Sequence, residues 1–263
     1  MKRAVLLVLG VAFAIPAIAQ DLRPLCPTRP GLGTPPCIVD KGHTLAEIGV
    51  GDWTRDRDGD MQSDRVIVGD MLLRYGIDTQ SEIEIGWTAY GHQRDRAGTS
   101  VNRSSGTGDV LLAYKRSVAN PDGSGLSAAV QPFVTLPAGG AAIGAGDWGA
   151  GVIVPISTDI AEGVSLQLSP EIDAAVDEDR SGRHLAYGSV AGIGVDLSEA
   201  VNAALELSAF RDDDPSGHST ELLAAAALAW QPVDAWQVDV GSALGLNHSS
   251  PDARLYFGVA RRF

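Results

Sequence analysis

Four aspartates spaced around one glycine raise the first chemical question. Asp56, Asp58, Asp60 and Asp64 lie in the run Asp56, Arg57, Asp58, Gly59, Asp60, Met61, Gln62, Ser63, Asp64. Oxygen ligands at alternate positions on a flexible turn suit calcium, because several hard carboxylates must converge on one ion. A solvated acidic loop is the plainer reading of the same residues. Cys26 and Cys37 fall in a stretch, Leu25 to Ile38, that also holds Pro27, Pro30, Gly31, Gly33, Pro35 and Pro36. In an oxidising compartment such a pair reads as a disulfide stapling a loop too poor in apolar residues to fold alone, with two free thiols as the alternative. A metal site there needs more ligands than His43 supplies. No G-x-S-x-G, H-E-x-x-H or P-loop pattern occurs, so we expect no enzyme and no cofactor beyond the calcium candidate.

The compartment follows from the first residues. Lys2 and Arg3 precede an apolar run from Ala4 to Ile15, then Pro16 and the triplet Ala17, Ile18, Ala19. This reads as a secretory signal peptide over 1–19, with cleavage after Ala19. Beyond residue 20 no stretch approaches the ~18 consecutive apolar residues of a membrane helix. The 263 residues carry a formal charge of -13, and removing Lys2 and Arg3 leaves 18 basic against 33 acidic residues. Such acidity excludes nucleic acid as a partner, while a hydrophobic fraction of 44% argues against disorder.

Period-two alternation runs through the chain from His43 onward. Trp236, Val238, Val240, Leu244 and Leu246 share one face, and Gln237, Asp239, Gly241, Ala243, Gly245 and Asn247 the other. Ile83, Ile85 and Trp87 alternate with Glu82, Glu84, Gly86 and Thr88 in the same way. About twelve segments of roughly 10 to 13 residues outlast the usual strand of ~5 to 6 and match a tilted bilayer crossing. They run near 43–54, 64–76, 79–92, 106–117, 125–136, 147–157, 162–175, 185–197, 200–210, 219–231, 235–247 and 252–263. Tight turns at 77–78, 198–199 and 232–234 alternate with longer connections at 55–63, 93–105, 137–146, 176–184 and 211–218. One connection, 118–124, is long for a turn. Trp53, Tyr75, Trp148, Tyr187, Trp230 and Trp236 stand near segment ends as interface girdles do.

These features predict an all-β chain: a single closed antiparallel transmembrane β-barrel of about 12 strands over 43–263. Residues 20–42 form a periplasmic segment beneath its mouth, and the destination is the bacterial outer membrane after export through the inner membrane and periplasm. The presumed inward positions, which would line a pore, carry Glu47, Asp70, Glu82, Glu84, Asp109, Glu171, Asp173, Asp196, Glu206, Glu221 and Asp239, against Arg74 and Lys115. An acidic lining favours cations or neutral solutes over anions. Glycines on the same faces, among them Gly49, Gly51, Gly86, Gly241 and Gly245, suggest a thin-walled interior or simply strand curvature.

The last residue, Phe263, with Leu255, Phe257 and Val259 on its side of the final segment, resembles the signal by which outer-membrane barrels are recognised for assembly. Arg261 departs from that pattern, and its long stem reaches the headgroups by snorkelling. Signal peptide, Cys-bearing segment, Gly-rich strands and terminal Phe263 together resemble the outer-membrane transporters of the phenol-degradation meta-pathway type. The resemblance implies passage of small, hydrophobic or aromatic solutes, with outer-membrane lipid, the solute and the barrel-assembly machinery as partners. The acidic run resembles the loops of thrombospondin-type calcium repeats, with Met61 in place of their second glycine. Alternatives from other classes are a barrel lipid hydrolase, for which His43, His92, His184, His218 and His248 are the candidate bases although solvated loop histidines are the plainer reading, and an adhesive barrel that binds through its loops.

Overall fold

The computed structural model describes residues 22–140 and 142–263; the signal peptide expected over 1–19 lies outside them. Strands β1 (Thr44–Asp58), β2 (Met61–Gly76), β3 (Ser81–Ala97), β4 (Ser100–Gly106), β5 (Val110–Ala119), β6 (Ser127–Leu136) and β7 (Gly149–Ile153) make the first half. The second half is β8 (Ile156–Ala161), β9 (Val164–Val176), β10 (Arg183–Ser198), β11 (Val201–Asp214), β12 (Gly217–Val233), β13 (Trp236–Gly245) and β14 (Ala253–Arg262). Every ladder between them is antiparallel, and β14 returns to pair with β1 from Leu45↔Arg262 to Arg55↔Ala253. β4 and β5 both pair with β3, and β7 and β8 both pair with β9, so each couple is one interrupted crossing. The fourteen strands therefore make the closed barrel of twelve crossings expected from the alternation.

Proline explains the second interruption. Pro155 has no N–H to give the ladder between β7 and β8. Its carbonyl still accepts from Ala129 N–H, and Val154 N–H donates to Pro170, so the wall stays continuous.

Polarity is inverted relative to a soluble sandwich. On β13, Val238, Val240 and Leu244 are 43%, 52% and 58% exposed, whereas Gln237 and Asp239 are 2% and 3% exposed. A polar inside and an apolar outside have one stable solvent arrangement, hydrocarbon around the wall. Slipping the register by one residue would turn Asp239 into lipid at about 2–4 kcal/mol or less, depending on depth. The termini meet where the ring closes: Thr44 and Phe263 exchange both backbone hydrogen bonds, at 2.8 and 3.1 Å. Arg261 lies over the rings of Trp236 and Phe263, with its guanidinium 4.8 and 4.5 Å from their centroids, inside the aromatic girdle.

Three of the expected external loops are extensions of strands instead. Residues 55–63, 93–105 and 211–218 continue the hairpins β1–β2, β3–β4 and β11–β12, leaving only two-residue turns. Apolar alternation stops there because the segments have left the hydrocarbon, but cross-strand polar pairs take over. Arg55 Nε meets Asp64 at 2.8 Å and Ser63 Oγ meets Asp95 at 2.8 Å. The same extension accounts for the acidic run. Asp56 and Asp58 lie on β1, Asp64 on β2, and Asp60 follows Gly59 (φ 56°) in the turn, so the carboxylates are strung along a hairpin. Asp64 is held by Arg55, Gln62 and Trp53.

Candidate functional site

Inside the ring, the chemistry centres on Arg74. Its Nε donates to Glu82 at 2.9 Å, Nη1 approaches Glu47 at 3.4 Å, and Nε lies 3.8 Å from Glu84. Lys115 Nζ is 3.1 Å from Glu82 and 3.0 Å from Glu84, and Gln131 donates to Glu84 at 3.2 Å. All five charged side chains are at most 2% exposed. Three carboxylates face two cations, and the surplus negative charge is met by backbone N–H groups. Those groups come from the N-terminal segment.

Residues 22–42 lie within the mouth, against its inner wall, where the sequence reading placed them beneath it. Thr28 and Arg29 N–H donate to Glu47, Val39 N–H to Glu82, and Leu32 and Gly33 N–H to Glu206. Thr34 and Ser169 exchange hydrogen bonds at 3.1 and 2.8 Å, and Arg29 pairs with Asp239 at 3.0 Å. A Pro/Gly-rich strand-less chain has many unpaired backbone donors, and inward carboxylates are what satisfies them in a dry interior. Cys26 and Cys37 are disulfide-bonded, and the carbonyls of both accept from Arg74. Leu25, Val39, Leu45 and Ala260 form a small apolar core under the segment. Gly76 is required there, since a Cβ would strike the Val39 and Asp40 carbonyls. The long connection after β5 also finds its reason: Pro121 O accepts from Ile38 N–H at 2.9 Å.

A second inward element narrows the other end. In the loop between β6 and β7, Gly139 and Ala145 N–H donate to Asp109, and Ile143 O accepts from Arg65 at 2.9 Å. Ile143 is buried beside Gly91 on β3. Arg183 pairs with Asp147 at 2.9 Å and covers Trp148, pinning the loop to β10. The hydrogen bond from Arg183 holds the Asp147 carboxyl below the usual carboxylate range.

The eleven acids of the sequence reading thus divide by task. Glu47, Glu82, Glu206 and Asp239 hold the segment, Glu84 pairs with Arg74 and Lys115, and Asp109 holds the loop. Asp70 accepts from Thr88, and Asp196 accepts from Asn202 near the tight-turn rim. Glu171 and Asp173 stand together on β9, and they and Glu221 have no ion pair among the described residues. What alternation could not reveal was the partner of each acid; Arg29, Ser169 and Gln237 were visible only as polar residues. Glycines also serve differently from a thin wall. Gly241 and Gly51 receive the rings of Tyr256 and Phe257, and Gly49 faces Arg29.

Space remains beside the segment. A cavity of about 680 Å³ opens between Thr28–Gly33 and the wall of β9–β11, where Ser165, Gln167, Gly192, Gly194, Asn202 and Ala204 present small or polar side chains. On the outer wall, His92 Nδ1 lies 2.8 Å from Ser105 Oγ, which Tyr90 also approaches at 3.3 Å. Among the described residues no carboxylate bonds the other ring nitrogen, so the pair lacks the third member of a hydrolytic triad.

A closed, inside-polar ring of tilted strands with an internal segment defines the class: the fold is that of bacterial outer-membrane β-barrels. The family described as "Putative MetA-pathway of phenol degradation" matches residues 28–263, and the chain belongs to it. Among solved structures, the chain is similar to one described as "KdgM porin", with a TM-score of 0.50 and 10% identity over 84% of this chain and 99% of that one. It is also similar to the "CymD monoaromatic hydrocarbon channel", with a TM-score of 0.45 and 8% identity over 85% and 88% of the two chains. Identities this low speak for the fold alone. No curated protein matches the chain by sequence.

Proposed function

We propose that the chain is a solute channel of the bacterial outer membrane, exported across the inner membrane and assembled through recognition of its terminal Phe263. Small neutral solutes, with hydrophobic or aromatic compounds foremost, are its cargo. The family's description supports the aromatic class. The observation that carries the channel reading is the polar interior, narrowed but not filled: the segment is tied to β1, β3, β11 and β13, while the cavity beside it is bounded by Gly192, Gly194 and Ala204. The lining also carries Glu162, Asp196, Glu199 and Glu206, whose fixed charge acts on ions and little on an uncharged solute.

Vesicles with lipopolysaccharide in the outer leaflet, which hydrophobic molecules cross slowly, provide the test. Those holding the protein take up a neutral monoaromatic probe faster than empty ones, and an added ester detergent stays intact. Equal uptake overturns the channel reading, and ester cleavage lost with Ser105→Ala supports a hydrolase in its place.

A further inference from the structure

Beyond the lumen, one cluster of metal-ligating side chains stands apart. His184, the second residue of β10, brings Nδ1 to 3.0 Å from Asp177 Oδ1 and 3.2 Å from Asp214 Oδ2. Among the described residues these three form the group whose ligand atoms lie within 4.8 Å of one another. The imidazole is 5% exposed, and Asp177 and Asp214 are 11% and 12% exposed. Asp212 Oδ1 lies 2.9 Å from Nε2, yet Nε2 has no hydrogen bond of acceptable direction. The buried ring therefore faces three carboxylates with two N–H groups, two of those carboxylates being largely buried and Asp212 half exposed.

We infer that Asp177, His184 and Asp214 bind one divalent transition-metal ion of the zinc type. One nitrogen facing two carboxylate oxygens is a poor hydrogen-bond arrangement, since a single N–H serves one of them. It is a good coordination edge. Bonds of about 2.0–2.2 Å set neighbouring ligands of a tetrahedral ion about 3.3 Å apart, close to the spacing here. Charge favours the same outcome, because a dication with a neutral imidazole offsets three carboxylates better than one imidazolium does. A mixed imidazole and carboxylate set selects zinc-like ions over calcium or magnesium, which take oxygen alone.

Support around the three ligands matches what such a site needs. Glu178 N–H donates to Asp214 Oδ2 at 2.8 Å and Ser216 N–H to Oδ1 at 2.7 Å, which fixes that carboxylate. Asp212, after a small rotation, is the outer carboxylate that orients the ring through Nε2–H. A cavity of about 470 Å³, bordered by His184, Asp214 and His218, gives the ion access from solvent. Bound metal joins the β9–β10 loop to the β11–β12 hairpin, on the same flank of the barrel as the cavity beside the N-terminal segment.

The full-length barrel, refolded without metal, is titrated with Zn2+ against a chromophoric chelator, and separately with Ca2+. One Zn2+ per chain is expected, unaffected by excess Ca2+. Binding is lost in His184→Gln and weakened by about 10- to 100-fold in Asp212→Asn, while His248→Gln binds as the parent does. Absence of stoichiometric zinc, equal competition by calcium, or unchanged binding in His184→Gln overturns the assignment. The parent protein loaded with Co2+ tests it without substitution: intense visible bands of a four-coordinate ion are expected, and the weak spectrum of hydrated cobalt overturns it.

Discussion

Arg74→Ala lowers the unfolding free energy of the barrel by about 3–5 kcal/mol, the range for breaking a buried ion pair from one side. The substitution leaves Glu47, Glu82 and Glu84 with Lys115 as their only cation, and it removes the donors that hold the Cys26 and Cys37 carbonyls. Denaturant unfolding in micelles, followed by the gel mobility of the folded barrel, measures the loss. Adding Glu82→Gln to Arg74→Met recovers part of it, because one uncompensated carboxylate goes with the guanidinium. A loss of only about 0–1 kcal/mol, the size of an exposed pair, would mean that water reaches the network.

Ion selectivity carries the second large effect. We predict a preference for cations that Glu171→Gln with Asp173→Asn lowers, because these neighbours on β9 face the interior without an ion pair. Arg74→Met with Glu82→Gln changes it little, since these two charges already cancel as a pair. Reversal potentials under a salt gradient read both variants, and the difference shrinks at high ionic strength through screening. If the two double substitutions acted alike, Glu82 of β3 would line the conducting path after all.

Alternation made the wall legible in advance because lipid and lumen impose opposite polarity on successive residues, so each crossing announces itself as the pair Val238 and Asp239 does. Hairpin ends were not legible in that way. Outside the hydrocarbon both faces are wet, and residues such as Arg55 and Ser63 read as loop although each pairs across a ladder. Glu206 and Asp239 are buried, and their partners come from far along the chain: Glu206 meets Gly33, and Asp239 meets Arg29. No periodicity in a Pro/Gly segment points to such contacts. The long connection at 118–124 was a signal of them, an exception to the turn rule that exists because Pro121 holds Ile38.

Single-channel current tests the central claim, that the N-terminal segment narrows a conducting barrel, most directly. The intact protein and one lacking residues 22–40 are compared in planar bilayers at the same salt. Without the segment, Glu47, Glu206 and Asp239 exchange their backbone and arginine partners for water, so the wall persists and the lumen floods. Small steps for the intact chain and severalfold larger ones for the shortened chain are predicted. Equal conductance in the two, or none from either folded form, would contradict the account.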